Sequence, residues 1–134
     1  MTTAQELADR EIIRELLARN TAWMDGHGGV ATDLYSPDVI LRSARGNVYG
    51  LEEALKRIGP KPDDRHQHFF TDPLLDVDGD TANVELNLLV HGYRLGEAPH
   101  TSRGARAGYT FARTDAGWRI TEARVSQLWE ITTS

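Results

Sequence analysis

The sequence predicts an α+β fold, with helices in the first half of the chain and long antiparallel strands in the second half. Apolar residues recur every three or four positions over residues 4–25, which is typical of a helix packed on one side. Apolar and polar residues alternate over residues 81–95, which is typical of a half-buried strand. The turn sequences Asp78-Gly79-Asp80 and Asp115-Ala116-Gly117 each separate two such segments. We therefore expect the helices to cover one face of an antiparallel sheet.

Three helices are predicted, and glycine or proline follows each of them and ends it. The predicted helices cover residues 4 to about 25, 30–35 and 51–58. Their end signals are Gly26-His27-Gly28-Gly29, Ser36-Pro37-Asp38 and Gly59-Pro60.

The predicted strands cover residues 39–41, 48–49, 65–77, 81–95, 103–114 and 118–129. Pro73 lies inside the third of these segments. Because proline has no backbone N–H to donate to a neighbouring strand, we expect an interruption or a bulge there.

The composition excludes several classes of protein. The chain has 134 residues, a length typical of one domain (residues 1–134). It has no cysteine, so neither disulfides nor thiolate metal sites can form. Its formal net charge is −5 and its basic residues are scattered, which argues against a nucleic-acid partner. Neither a signal peptide nor a membrane-spanning apolar segment is visible, so we expect a soluble, cytoplasmic protein that does not bind membranes.

Asp25 is the first candidate functional residue. It ends the long helix directly after Trp23 and Met24 on the apolar side, where a carboxylate is costly unless it has a partner. The C-terminal end of a helix also disfavours a negative charge. Asp25 therefore has either a compensating functional partner or a purely local role, in solvent or against the glycine loop.

His66 and His68 are the next candidates, because residues two apart on a strand share one face. Phe70 continues that face and suggests an enclosed site. Histidine beside a carboxylate is the simplest general base available near neutral pH. The alternatives are a structural histidine pair at a sheet edge or a His₂–carboxylate metal site with Asp25; we expect neither a metal nor a cofactor.

The element order resembles the nuclear transport factor 2-like superfamily, in particular its SnoaL-like and scytalone dehydratase-like branch. The similarity is sharpest over residues 13–19, 76–82 and 113–120. The resemblance implies a cone-shaped, curved sheet, antiparallel or mixed, wrapped on the long N-terminal helix around a pocket (a cystatin-like α+β barrel). It also implies a homodimer formed through the convex face of the sheet. It identifies the fold rather than the reaction, since this fold carries many chemistries.

The same resemblance implies roles for three residues. Scytalone dehydratases have similar residues at Asp25, at His68 within Gln67-His68-Phe69, and at His91; hexachlorocyclohexane dehydrochlorinases are similar at the first two, and bile-acid 7α-dehydratase has a related layout. Asp25 would orient His68, His68 would remove a proton, and His91 would polarise or protonate the departing oxygen.

This sequence also departs from that pattern. Met24 and Leu41 stand where scytalone dehydratases have tyrosines, and Ala107 stands near an expected asparagine, so scytalone itself is not the expected substrate. His91 shares the polar register of Asn87 instead of the apolar register of Val90. It faces the pocket only if a bulge near Leu89 shifts that register.

The leading hypothesis is a cofactor-independent lyase, isomerase or cyclase that acts on a small hydrophobic cyclic or polyketide-like molecule. The alternatives are a non-catalytic binding or dimerisation module and, less well matched in length, the small subunit of a ring-hydroxylating dioxygenase. Arg106 or Arg124 could bind an anionic substrate. The candidate substrate-binding residues are His66, Tyr49, Phe70, Tyr109 and Trp23.

Overall fold

The computed structural model describes residues 3–133 and contains one long helix, one short helix and a curled six-stranded sheet. Helix α1 spans Ala4–Met24, a 3-10 turn spans Ala31–Asp33, and helix α2 spans Leu51–Ala54. The strands are β1 (Tyr35–Arg42), β2 (Val48–Tyr49), β3 (Arg65–Asp78), β4 (Thr81–Tyr93), β5 (Thr101–Thr114) and β6 (Gly117–Thr132). Both helices lie in the first half of the chain, the four longest strands follow them, and the α+β fold class is confirmed.

Helix α1 begins and ends at well-defined caps. The Thr3 hydroxyl accepts a hydrogen bond from the backbone N–H of Glu6 at 3.0 Å and satisfies one of the free donors of the first turn. Asp25 caps the C-terminal end, and Gly26 follows with a φ of 84°, a conformation that glycine adopts without strain. The helix buries Ile13, Leu17 and other residues on one face. That face packs against the concave side of the sheet.

The sheet has the strand order β2-β1-β6-β5-β4-β3, and its end strands β2 and β3 do not pair with each other. Only β1 and β6 run parallel; the other neighbours are antiparallel. Along β4, every second residue from Ala82 to Val90 is buried, and Ala105, Ala107, Tyr109 and Phe111 of β5 lie on the same side. This concave side, covered in part by α1, forms the core and holds the candidate site.

A buried ion pair joins the first half of α1 to the C-terminal end of β5. Asp9 is 1% exposed, and its Oδ2 lies 2.6 Å from Nη2 of Arg113 on β5. The indole N–H of Trp118 donates to the other carboxylate oxygen at 3.2 Å. The hydrogen bond from Arg113 lowers the pKa of Asp9 below its usual value of 3.8, and burial opposes that shift. Asp9 therefore remains charged in the core because it is fully paired.

Two sequence predictions for residues 30–41 are wrong. The predicted second helix is only a 3-10 turn, because Tyr35 belongs to β1 and pairs with Ile120 of β6. The predicted turn Ser36-Pro37-Asp38 lies inside β1, where the pairing register shifts between Tyr35 and Ile40. That irregularity accommodates Pro37, which has no N–H to donate.

Other predicted boundaries differ by a few residues, and α2 is shorter than expected, ending at Ala54 and not at residue 58. The bulge expected near Pro73 is confirmed: the register of β3 against β4 shifts between Thr71 and Leu74, and Asp72 has a φ of 54°. No helix within the described part of the chain is long and apolar enough to cross a bilayer.

Candidate active site

Asp25 and His68 form a hydrogen-bonded pair between the end of α1 and strand β3. Nδ1 of His68 lies 2.6 Å from Oδ1 of Asp25. The backbone N–H of His68 also donates to the same carboxylate, at 2.9 Å to Oδ2 and 3.1 Å to Oδ1. The side chains are only 7% (Asp25) and 15% (His68) exposed. The partner that Asp25 requires at its unfavourable helix end is thus both the ring and the main chain of His68.

This contact determines which nitrogen of the His68 ring is available. An ionised carboxylate only accepts hydrogen bonds, so Nδ1 of a neutral His68 must carry the proton. Nε2 is then unprotonated and able to accept a proton. His68 lines an apolar cavity at the concave side of the sheet, so the ring presents a proton acceptor there.

The cavity has a volume of about 260 Å³ and lies between the concave side of the sheet and the segments that follow β1 and α2. Most of its wall is apolar, formed by Met24, Leu41, Ile58, Leu88, Val90 and Val125. Met24 and Leu41 occupy the positions at which scytalone dehydratases have tyrosines. The cavity is therefore suited to an apolar molecule and lacks those two hydroxyls.

Two tyrosines belong to the cavity wall. Tyr35 donates to Oδ1 of buried Asn20 at 2.5 Å, and burial raises the pKa of Tyr35. Burial likewise raises the pKa of Tyr109 to about 12, so its hydroxyl stays protonated at neutral pH. Among residues 3–133, no side chain forms a hydrogen bond with the Tyr109 hydroxyl, which leaves it available to a ligand.

Four arginines also line the cavity: Arg42, Arg45, Arg57 and Arg103. Arg42 forms an ion pair with Glu122. Arg103 lies on β5, pairs with Val90 in the register and faces inward with Ala105. Sequence analysis did not single out any of the four. The alternation along β5 was a usable signal for Arg103, because it has the parity of the core residues Ala105, Ala107 and Tyr109.

His66 lies two residues before His68 on the same face of β3, as predicted, and lines a second pocket of about 110 Å³ beside the cavity. Burial lowers the pKa of His66 below 6.5, and the nearby Arg103 adds to that effect, whereas Asp64, 3.9 Å away, opposes it. Across the described ranges, no three His, Asp or Glu side chains lie together in a way that could hold a metal ion.

The structure does not bring His91 to the cavity. It faces the opposite, convex side of the sheet, where Nδ1 lies 2.7 Å from the Ser102 hydroxyl and Phe69 packs edge-on against the ring. The pairing of β4 with β3 and with β5 is regular around Leu89, so no bulge turns His91 inward.

Of the remaining predicted substrate-binding residues, one lines the cavity and three do not. Tyr109 lines it. Trp23 and Phe70 pack in or against the core without lining it; the Trp23 ring lies against Tyr35 and Gly59. Tyr49 is 63% exposed on the short edge strand β2.

Arg106 and Arg124 lie on the convex side and are engaged there. Arg106 donates to Asn87 at 2.9 Å, and Arg124 donates to Glu122 at 2.7 Å. Neither of them lines the cavity.

Residues 5–124 match the sequence model of the SnoaL-like domain. The chain belongs to this family. Among solved structures, the SnoaL-like chain is similar to an NTF2-like protein with a cystatin-like fold from Novosphingobium aromaticivorans. The two share 26% identity over 96% of this chain and 92% of that one, with a TM-score of 0.72. No curated protein matches the SnoaL-like chain significantly.

Two more distant structures have the same fold. The hexachlorocyclohexane dehydrochlorinase LinA-type3 from Novosphingobium barchaimii is 20% identical over 96% of this SnoaL-like chain and 92% of its own, with a TM-score of 0.77. A putative scytalone dehydratase from Novosphingobium aromaticivorans is 15% identical over 96% and 89%, with a TM-score of 0.78. The nuclear transport factor 2-like fold implied by the sequence is thus confirmed.

Proposed function

We propose that this SnoaL-like protein is a cofactor-independent lyase, isomerase or cyclase in which Asp25 and His68 remove a proton from a small, largely apolar cyclic or polyketide-like molecule. The 2.6 Å contact between the two side chains, at the wall of an apolar cavity, carries this proposal. A positioned base of this kind contributes about 10²–10⁴-fold to a reaction rate.

In the proposed reaction, a C–H bond of the substrate breaks and its proton passes to Nε2 of His68. The electron pair stays on the carbon, from where it expels a leaving group, shifts a double bond or attacks a second carbon. The imidazolium that forms is stabilised by the Asp25 carboxylate, as in other aspartate–histidine pairs. His68 then returns the proton to the leaving group or to another atom of the product. The Tyr109 hydroxyl is protonated and has no hydrogen-bond partner among residues 3–133; in this proposal it donates to an oxygen on which negative charge develops.

The relatives named above support an elimination as the first reaction to test. One solved structure is that of a dehydrochlorinase and another that of a putative scytalone dehydratase. Both names describe loss of a small molecule from a ring. Because both proteins are less than 25% identical to this chain, their substrates serve only as starting points for a screen.

The test is proton exchange and turnover in D₂O with a panel of chlorinated cyclohexanes, hydroxylated cyclic ketones and cyclic enones, followed by mass spectrometry. We expect deuterium incorporation or product formation with at least one class, and a loss of about 10²–10⁴-fold in His68→Ala. Activity of the variant equal to that of the wild type would remove His68 from the mechanism. His91→Ala is the matched control: it removes another half-buried histidine, from the convex side, and should keep the activity.

The alternative is a binding module of the same fold without catalysis. The apolar cavity favours it as much as it favours an enzyme. It is distinguished by ligands that bind in the cavity but exchange no proton, and whose affinity is the same for wild type and Asp25→Asn.

A further inference from the structure

The pocket beside His68 is lined by cations. Its volume is about 110 Å³, and it adjoins the larger cavity, with which it shares the lining residues Met24, Ile58 and His68. Two of its charged residues, Arg57 and Arg103, also line the larger cavity, and Lys61 is added at the outer side. The two spaces therefore form one site with an apolar body and a polar, positively charged end.

Among residues 3–133, only one of these lining cations, Arg42, forms an ion pair with a carboxylate, that of Glu122. Five cationic side chains line the two spaces: Arg42, Arg45, Arg57, Lys61 and Arg103. Neither lining includes an aspartate or a glutamate, although acidic residues outnumber basic ones by 20 to 15 in the whole chain. A positive site in an acidic protein is a local feature of this cavity and does not follow from the overall composition.

Arg103 is the central cation of this group. It faces inward between the strands that carry His68 and Ala123, among apolar side chains, and it is only partly exposed. Within residues 3–133, no carboxylate lies within 4.0 Å of its guanidinium, whereas Arg42, Arg113 and Arg124 each have one. A half-buried guanidinium without a counter-ion is unfavourable unless a ligand supplies one.

Arg57 approaches the same pocket from the segment after α2. One of its N–H groups donates to the carbonyl of Gly46 at 3.2 Å, which ties the side chain to the loop after β1. The other N–H groups of its planar fork remain available for a carboxylate.

We propose that the substrate is a carboxylic acid whose carboxylate binds Arg103 and Arg57 in the small pocket and whose apolar body fills the larger cavity. This inference rests on the proposed function and names its substrate class. The guanidinium fork matches a carboxylate with two parallel hydrogen bonds. The larger cavity is of suitable size for the body, since roughly 150 Å³ holds one benzene ring.

This placement also explains why the cations lie next to the proton acceptor. His68 lines both the cavity and the small pocket, so a carbon close to the bound carboxylate lies near Nε2. Removing a proton near an unpaired carboxylate is opposed by its negative charge. Two guanidinium groups cancel that charge and favour the carbanion-like transition state.

The experiment compares acids with their neutral amides by isothermal titration calorimetry on the full chain at low salt. The probe pairs are trans-cinnamate with cinnamamide and cyclohexanecarboxylate with its amide. We expect at least one acid to bind at submillimolar concentration, and its amide to bind about 10-fold or more weakly. Arg103→Gln should weaken acid binding by about 10- to 100-fold, the contribution of one hydrogen bond between charged groups.

Arg106→Gln is the matched control, because Arg106 lies on the same strand but on the convex side, bonded to Asn87. It should leave the affinity for the acid unchanged. Arg57→Gln, on a separate segment, should also weaken acid binding, and it keeps the test decisive if Arg103→Gln does not fold by circular dichroism.

Several outcomes overturn the inference: equal affinity for acid and amide, no acid binding at millimolar concentration, or equal losses in Arg103→Gln and Arg106→Gln. Tighter binding of phenyl phosphate than of either acid replaces the carboxylate by a phosphate and overturns it as well. His68→Ala separates this inference from the proposed function, because it should keep acid binding. Acid binding without any proton exchange would contradict only the proposed function. Proton exchange that depends on His68 but shows no preference for acids would contradict only this inference.

Discussion

His68 and Arg103 face the same cavity from strands β3 and β5, and both pair with Val90 on the strand between them. The ring of His68 and the guanidinium of Arg103 therefore lie two strands apart on the same wall of the cavity. Since neighbouring strands lie about 4.8 Å apart, the backbones of the two residues are separated by about 10 Å, and both side chains extend into the space in front of Val90.

Asp25→Asn should impair catalysis while leaving the chain folded. Asparagine keeps an oxygen that accepts the backbone N–H of His68, but its amide can donate to Nδ1 and favour the other tautomer, with the proton on Nε2. We expect turnover to fall by about 10²–10⁴-fold, with a smaller change in KM. ¹⁵N NMR of the imidazole nitrogens should show the proton moving from Nδ1 to Nε2; an unchanged tautomer with lost turnover would contradict this account.

Tyr109→Phe should affect turnover and not stability, whereas Tyr35→Phe should affect stability. Tyr109 lines the cavity and its hydroxyl has no hydrogen-bond partner among residues 3–133, so its loss should leave the free energy of unfolding within about 0.5 kcal/mol and lower turnover. Tyr35→Phe leaves the buried Asn20 without its donor and should cost about 1–3 kcal/mol of stability. Urea denaturation measures the two free energies, and a Tyr109→Phe variant as unstable as Tyr35→Phe would argue that its hydroxyl is structural.

The Asp9–Arg113 pair predicts the acid sensitivity of the fold. Because its partner lowers the pKa of Asp9 in the folded state, the unfolded chain binds the proton more readily. The stabilisation is therefore complete above the unfolded pKa of 3.8 and is lost as the pH falls below it towards the lower folded pKa.

Asp9→Asn should reduce stability at neutral pH by about 1–3 kcal/mol and flatten the loss of stability as the pH falls below the unfolded pKa of 3.8. Asp80→Asn is the control, because Asp80 also contacts Arg113, at 3.0 Å, but is 80% exposed. Its removal should cost less than about 1 kcal/mol. Equal effects of the two substitutions, in urea denaturation at each pH, would show that burial of Asp9 is unimportant.

Gly104 is predicted to tolerate no side chain while Trp129 is present. A Cβ at this position would lie 2.2 Å from the Trp129 ring, so Gly104→Ala must displace the indole. We expect a loss of about 1–3 kcal/mol and a change in tryptophan fluorescence. In a Trp129→Ala background, the same substitution should be nearly neutral, and a double-mutant cycle without coupling would refute the contact.

The exposed apolar side chains at the C-terminal end of β6 indicate self-association. Leu128, Trp129 and Ile131 are between 45% and 64% exposed there, a concentration of apolar surface that is typical of an interface. We predict a homodimer through the convex face of the sheet, with a mass of twice 14.9 kDa by light scattering. Ile131→Glu should shift the mass to that of one chain, and a wild-type chain that is already monomeric at micromolar concentration would exclude this interface.

Much of the fold could be predicted from local pattern. The alternation along β4 and the turn at Asp78-Gly79-Asp80 are local signals and appear in the structure as predicted. The prediction of a second helix was wrong because Tyr35 belongs to β1 and pairs with Ile120, some 85 residues away. Local propensity contains no information about such a distant pairing.

The candidate site could be predicted only in part. The Asp25–His68 pair was proposed from an aspartate at a helix end and a histidine in a similar context, and the structure brings the two together. The cationic residues come from separate segments: Arg45 follows β1, Arg57 follows α2, and Arg103 is on β5. Their meeting point depends on the curl of the sheet and is invisible in sequence spacing.

The carboxylate of Asp25 holds the ring of His68 and also accepts its backbone N–H, so one side chain both aims the base and joins the end of α1 to the sheet. Chemistry and architecture thus depend on the same atoms. Even without the proposed catalysis, the contact with the backbone N–H of His68 would favour keeping Asp25. Retention of this aspartate among related chains therefore does not by itself mark the active ones; the identity of residue 68 is the more informative character.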